Sequence, residues 1–140
     1  MRSASVRERF DALRAVRELA SCSDDDVWSL VAYADEVSLR AGERVAYEGR
    51  LCTEFLVVID GTLRSRSDVI GHGDSSGWDA MWERSTNPTT VVAQTNARVL
   101  VMSHAQFRAV KALVNCVWPQ HNEAGLGAVA VTRHVSSVSP

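Results

Sequence analysis

The chain has 140 residues, the size of one ordinary domain, and its 46% hydrophobic content excludes an intrinsically disordered protein. The 15 basic and 17 acidic side chains give a net charge of -2, which excludes a general electrostatic attraction to nucleic acid or anionic membranes. No apolar run approaches the ~20 residues of a membrane-spanning helix, and the polar N-terminus lacks the apolar stretch of a secretory signal.

Two helices are predicted at the start of the chain, within residues 1–34. Apolar residues recur every three or four positions over 6–20, which predicts one amphipathic helix there. Ser23 precedes three aspartates, a pattern typical of a helix N-cap followed by an acidic first turn. The second helix is therefore predicted to begin at Ser23 and to run to about Tyr33.

Short strands separated by glycine turns are predicted over residues 35–102. Alternating or fully apolar runs lie at 37–39, 45–47, 55–59, 89–93 and 98–102, and Leu63 lies in a short polar strand. A glycine-rich loop at 71–77 is followed by a segment, 78–83, that is long enough for about one helical turn. Short strands with turns between them are typical of a small antiparallel β-roll with helices at its ends.

The C-terminal part contains one predicted helix and a tail. Ser103 precedes apolar residues at helical spacing, which predicts a helix over 103–118 that Pro119 ends. Residues 119–140 are rich in Ala, Gly, Val and Ser and are predicted to be weakly structured. No repeat or second core is visible, so we expect a single domain.

The three cysteines, Cys22, Cys52 and Cys116, lie far apart in sequence. An odd, scattered set is typical of reduced thiols, and no Cys or His residues have metal-ligand spacing. We therefore expect free thiols, no metal and a cytoplasmic location.

Four segments in family-like order resemble the cyclic nucleotide-binding domain of bacterial cAMP-receptor-type regulators, kinase regulatory subunits and gated channels. They lie at residues 39–49, 54–63, 73–77 and 90–107, and the third reads Gly-Asp-Ser-Ser-Gly where the family has Gly-Asp-x-Phe-Gly. The resemblance implies a mainly β, jelly-roll-like β-roll with N-terminal helices and a C-terminal helix.

Two departures from the family concern the ligand. The resemblance implies a glutamate for the ribose and an arginine for the cyclic phosphate, but Trp78 stands at the first position and Asn87, or Pro88 with another gap, at the second. A phosphodiester anion is costly to bury without a charged partner. We therefore expect cAMP and cGMP to bind weakly or not at all, and no cofactor.

The candidate pocket residues are those around these two departures. They are Gly77, Trp78, Asp79, Ala80, Arg84, Asn87, Thr89 and Thr90. Asp79 would replace the glutamate only after a register shift, whereas Arg84 is near enough to fold back onto a phosphate. We hypothesise that the Trp78 indole turns into the roll and fills part of the vacant pocket; the alternative is an exposed anchor for a partner.

Two classes of function stay open. Isolated histidines and the lack of paired catalytic residues disfavour an enzyme, and the short segment after Val114, with Arg133 as its one basic residue, disfavours a DNA-reading helix. The first class is a non-enzymatic regulatory or adaptor module that contacts another protein, with a homodimer through the C-terminal helix as one variant. The second is a small-molecule or cyclic-nucleotide sensor with a rebuilt phosphate cassette. The missing contacts favour the first.

Overall fold

The computed structural model describes residues 2–66, 68–119 and 131–132. The helices are α1 (Val6–Arg14), α2 (Asp24–Tyr33) and α3 (His104–Lys111), with 3-10 helices at Arg17–Leu19 and Trp78–Met81. The strands are β1 (Asp35–Leu39), β2 (Arg44–Ala46), β3 (Glu54–Asp60), β4 (Leu63–Ser65), β5 (Asp68–Ile70), β6 (Ser75–Ser76), β7 (Val91–Ala93), β8 (Ala97–Ser103) and β9 (Val131–Thr132).

Two antiparallel sheets form a β-roll, which confirms the predicted fold class. One sheet has the strand order β1-β8-β3-β6-β9, and the other has the order β2-β7-β4-β5. One core cluster joins the sheets and contains Leu56 and Val58 from the first with Leu63, Ile70 and Val91 from the second. The non-sequential strand order follows from a chain that crosses between the two sheets.

A second core lies between the five-stranded sheet and the helices. Phe55, Val57 and Ile59 of β3 face this layer, and Leu13 and Phe107 are among the helical residues that cover them. Because successive side chains of a strand point to opposite faces, β3 contributes to both cores and is apolar throughout its interior. The molecule therefore has three layers: helices, five-stranded sheet and four-stranded sheet.

The prediction of one helix over 6–20 is wrong. The chain leaves α1 after Arg14, passes through an extended Val16 and forms the short 3-10 helix Arg17–Leu19. A three-residue step falls ~60° short of a helical turn, so the apolar stripe from Phe10 to Leu19 would drift by ~180° along one straight helix. The break lets both Val16 and Leu19 face the core, where each is nearly fully buried.

The N-caps of the two other helices follow the sequence prediction. The Ser23 hydroxyl accepts a hydrogen bond from the Asp26 amide, and the Ser103 hydroxyl accepts one from the Gln106 amide, each at 3.1 Å. However, α3 ends at Lys111, earlier than the predicted boundary at 118. Of the predicted tail, Pro119 and the strand β9, which pairs with β6, are described; its other residues lie outside the described part.

The prediction of free thiols is wrong for two of the three cysteines. Cys22 and Cys116 form a disulfide across a sequence separation of 94 residues, and Cys52 is free. The segment after α3 lies against the start of α2, where the Ser21 hydroxyl donates to the Val117 carbonyl at 2.7 Å. Spacing along the chain did not reveal this long-range contact.

A buried arginine ties the N-terminal segment to the roll. Arg98 on β8 is 4% exposed, and its guanidinium is hydrogen-bonded to the Asp60 carboxylate and donates to the Arg2 carbonyl at 3.2 Å. The hydrogen bonds from Arg98 hold the pKa of Asp60 below its usual range. Glu8 of α1 lies 3.6 Å from the same guanidinium, so its charge is compensated from both layers.

None of the described helices combines the length and the apolarity that crossing a bilayer requires.

Replacing Cys22 and Cys116 with serine is expected to lower the free energy of unfolding by about 2–5 kcal/mol, because a cross-link over a long loop restricts the unfolded chain. Urea denaturation of oxidised protein measures the loss, and reduced wild-type protein should match the variant. Cys52→Ser serves as the control, since Cys52 forms no cross-link. Equal midpoints for oxidised and reduced wild-type protein would contradict the pairing.

Candidate functional site

A cavity of about 270 Å³ lies where the 3-10 helix Trp78–Met81 meets the loop before β7. Its walls come from β2, β6, β7, the start of the 3-10 helix and the segment 85–89. The lining residues are Ala46, Cys52, Ser76, Gly77, Trp78, Asp79, Ala80, Ser85, Thr86, Asn87, Pro88, Thr89 and Val91.

Gly77 gives the cavity one of its corners. Its φ of +92° lies in the left-handed region, and a Cβ there would lie 2.2 Å from the Glu54 carbonyl oxygen and 3.3 Å from Cys52 Sγ. Glycine is the residue that tolerates both the dihedral angle and the close approach. This position therefore holds the 3-10 helix against the start of β3.

Asn87, at the expected arginine position, holds two loops together. Its side-chain amide donates to the Tyr47 carbonyl at 3.1 Å, and its backbone N–H donates to the Arg50 carbonyl at 2.8 Å. The Gly49 amide in turn donates to the Asn87 carbonyl at 2.8 Å. The Asn87 side chain thus forms part of the cavity wall while its amide group is engaged with the backbone.

The cavity carries negative rather than positive charge. Asp79 is the one charged residue among the described residues that line it, and no arginine or lysine is in that set. Burial raises the pKa of the Cys52 thiol, which donates to the Glu54 carbonyl with Sγ 3.6 Å from the oxygen. The remaining polar lining consists of hydroxyl and amide groups, so the cavity suits a neutral or cationic ligand better than an anion.

Most of the predicted pocket residues come together here. Gly77, Trp78, Asp79, Ala80, Asn87 and Thr89 all line the cavity. Arg84 is exposed and is not among the lining residues, and Thr90 faces a different cleft on the outer side of the four-stranded sheet. Sequence reasoning missed Cys52, Ser85 and Thr86, which a backbone pairing between Leu51 and Thr86 brings to the cavity.

Trp78 is buried, but not inside the roll. It is 7% exposed, which rules out the exposed anchor, and it belongs to the core between helices and sheet. Its ring contacts Phe55, Trp82, Phe107 and Trp118 with centroid distances of 5.2–5.9 Å. The prediction that the indole turns into the roll is therefore wrong: the 3-10 helix follows the helix-facing side of β3, so the indole packs beside Phe55, although Trp78 also lines the cavity.

This aromatic cluster connects the 3-10 helix Trp78–Met81 to the segment that follows α3. Trp118 contacts Phe107 of α3 at 5.2 Å and lies two residues after the disulfide-bonded Cys116. Lys111 Nζ lies 4.5 Å from the Trp82 ring centroid, a cation–π distance. The cavity wall, α3 and the C-terminal segment are therefore packed as one unit.

Trp78→Ala is expected to destabilise the fold by about 3–5 kcal/mol, because it removes a large buried aromatic from a packed cluster. Trp78→Phe keeps much of the ring contact and should cost clearly less. Thermal or urea unfolding gives both values. A melting temperature of Trp78→Ala equal to that of the wild type would contradict the packing described.

Gly77→Ala and Gly42→Ala form a matched pair at positions with φ of +92° and +95°. A Cβ at Gly42 meets open space, so this change should cost only the left-handed strain of about 1–2 kcal/mol. The clash at Gly77 should raise the cost to roughly 2–5 kcal/mol. Chemical denaturation compares the two, and equal costs would show that the 3-10 helix is not held against β3.

Comparisons with known proteins agree with this architecture. A family model described as the cyclic nucleotide-binding domain matches residues 36–112, more than half of the chain. No curated protein sequence matches the chain.

Solved structures with the same fold share little sequence with this chain. A cyclic nucleotide-binding-like protein from Brucella abortus is 22% identical, with 75% of this chain and 98% of that chain covered and a TM-score of 0.68. The N-terminal domain of a transcriptional regulator from Streptomyces coelicolor A3(2) is also 22% identical, with 74% and 81% covered and a TM-score of 0.68. A cAMP-bound fragment of PfPKA-R is 21% identical, with 75% and 39% covered and a TM-score of 0.66. At these identities the likeness shows the fold alone.

Proposed function

Because this chain belongs to the cyclic nucleotide-binding domain family, we propose that it is a non-enzymatic regulatory or adaptor module that has lost cAMP and cGMP recognition and acts by contacting another protein. The single observation that carries the proposal is that the described residues lining the cavity include no arginine or lysine.

The phosphate of a cyclic nucleotide would be poorly held in this cavity. Moving an anion out of water costs several kcal/mol unless a cation, preferably an arginine in bidentate geometry, compensates it. Asn87 has no charge, and its amide already donates to the Tyr47 carbonyl. Asp79 adds a like charge, which raises the cost further.

The ribose would also lose its acceptor at the family's glutamate position, where this chain has Trp78. An indole has an N–H donor and no acceptor, so Trp78 cannot take the hydrogen bond of a ribose hydroxyl. The Trp78 ring is also occupied by its contacts with Phe55 and Phe107. No lining residue replaces the charge of the family's arginine, and the one lining carboxylate, Asp79, lies one position after the family's glutamate.

We propose that the chain recognises another protein rather than a nucleotide, and that this protein is not a second copy bound through α3. The apolar residues of α3, Phe107 and Val110, are buried in the chain's own core, so α3 offers little to a homodimer. The predicted cytoplasmic location is not part of the proposal, because a disulfide such as Cys22–Cys116 is typical of oxidising compartments. We propose no role in reading DNA.

A sensor of a neutral or cationic small molecule is the second candidate function. It is favoured by one observation, the open cavity of about 270 Å³ with hydroxyl, amide and thiol groups in its walls. Such a pocket approaches the size of small-molecule sites, and its polar groups would set the orientation of the ligand.

Isothermal titration with cAMP, cGMP and adenosine tests the proposal. Each missing charge-assisted contact is worth about 1.5–3 kcal/mol, so cAMP and cGMP should bind on the order of 10²–10⁴-fold more weakly than a site with both contacts. Asp79→Asn should improve cAMP binding if the carboxylate repels the phosphate.

A cAMP dissociation constant in the low micromolar range or below would overturn the proposal. Arg84→Gln then serves as the diagnostic variant, because loss of that binding would identify Arg84 as the replacement phosphate contact. Binding of adenosine without binding of cAMP would instead support the second candidate, the sensor.

A further inference from the structure

A second cleft lies on the outer face of the four-stranded sheet and has the opposite charge. Its volume is about 510 Å³, and it is lined by Arg44, Tyr47, Glu48, Arg64, Arg66, Thr90 and Val92. Arginines therefore make up three of its seven lining residues, although the whole chain has a net charge of -2. Such a local excess of one sign of charge is typical of a recognition surface.

Strand register places two of these arginines on either side of one valine. Arg44 of β2 and Arg64 of β4 are both paired with Val92 of β7, the strand between them. Adjacent strands lie about 4.8 Å apart, so the two arginine backbones are roughly 10 Å apart with Val92 as the floor. The neighbours of Arg64 on β4, Leu63 and Ser65, are buried, which directs Arg64 outward.

The guanidinium groups of this cleft are largely available. Within the described part of the chain, no hydrogen bond or ion pair engages the side chain of Arg44 or Arg64, and both residues are exposed. Arg66, at the turn between β4 and β5, forms a long ion pair with Glu48 at 3.4 Å. Exposed pairs of this kind are weak, so Arg66 can also turn to another carboxylate.

We propose that this cleft binds a short extended acidic segment of a partner protein, whose alternate carboxylates face the arginines. Guanidinium groups bind carboxylates in bidentate geometry, and Arg44 and Arg64 lie on either side of Val92 in this cleft. An extended segment fits because its alternate side chains face the same side about 6.8 Å apart. This inference rests on the proposed function, since it names the partner chemistry of a module that acts through protein contact.

A nucleic acid fits this surface less well. Glu48 lines the cleft itself. The edge strands of this sheet are β2 and β5, and an exposed acidic residue lies at each: Glu43 just before β2 and Asp68 on β5. A phosphate backbone would continue past the cleft over a molecule of negative net charge, whereas a peptide of a few residues would not. The cleft also contains no lysine, because Lys111 is the only lysine of the chain and belongs to α3.

Fluorescence anisotropy with a labelled Glu-Val-Glu-Val-Glu peptide tests the inference, with the Gln-Val-Gln-Val-Gln peptide as the neutral control. The wild type should bind the acidic peptide and not the neutral one, and binding should weaken with added salt. The double variant Arg44→Gln, Arg64→Gln should bind about 10- to 100-fold more weakly. The charge-matched variant Arg84→Gln, Arg108→Gln changes two exposed arginines outside the cleft and should bind like the wild type.

A charge swap guards against variants that simply misfold. The variant Arg44→Glu, Arg64→Glu should lose the acidic peptide and gain a Lys-Val-Lys-Val-Lys peptide. No binding of the acidic peptide by the wild type, or equal losses in the cleft and control variants, would overturn the assignment. Tighter binding of a single-stranded oligonucleotide, lost in the cleft variant, would overturn it in favour of nucleic acid.

Calorimetric titration with cAMP, compared with the peptide titration, separates the failure of this inference from the failure of the proposed function. Calorimetric binding of cAMP would overturn the proposed loss of nucleotide recognition, whatever the peptide does. Failure of the peptide alone would overturn the acidic-segment cleft and leave the charge argument for the cavity in place.

Discussion

The rest of the structure depends on burial of β3 on both of its faces. Leu56 and Val58 pack towards the four-stranded sheet, while Phe55, Val57 and Ile59 pack towards the helices. A strand that serves two cores fixes where everything else can lie, because its register determines which face each neighbour covers. The cavity begins at the start of this strand, where the Glu54 carbonyl meets Gly77 and Cys52. Moving β3 by one residue would exchange the two cores.

The cavity and the arginine-lined cleft lie on opposite sides of the same two strands. On β7, Val91 lines the cavity and its neighbour Val92 lines the cleft, as the alternation of side chains requires. On β2, Arg44 lines the cleft and Ala46 the cavity, although residues two apart normally share a face. A register irregularity between Arg44 and Ala46 accounts for the reversal. The strands β2 and β7 therefore form a wall that both sites share, so a substitution that moves either strand would alter both the cavity and the cleft.

Residues at the expected nucleotide site hold the protein's own loops and helices together. Asn87 joins the loop before β7 to the turn after β2, and Gly77 allows the 3-10 helix to approach β3. The aromatic cluster of Trp78, Trp82, Phe107 and Trp118 then fixes this helix against α3 and the disulfide-bonded C-terminal segment. A 3-10 helix held in this way favours one conformation and therefore a constant surface. The proposed contact module needs such a surface, whereas a ligand-driven switch needs two conformations.

The sequence by itself determined the features that depend on near neighbours in the chain. Alternating apolar residues predicted the strands, and Ser23 and Ser103 predicted two helix caps. The family resemblance marked Trp78 and Asn87 as the positions where the family has its ligand contacts. Only the tertiary structure decided the break after Arg14, the Cys22–Cys116 disulfide, the side of β3 on which Trp78 packs and the position of Arg84 outside the cavity. Each of these features depends on contacts between elements that are far apart in sequence. Local periodicity shows that a residue is buried, whereas the layer that buries it depends on how the strands are ordered in the two sheets.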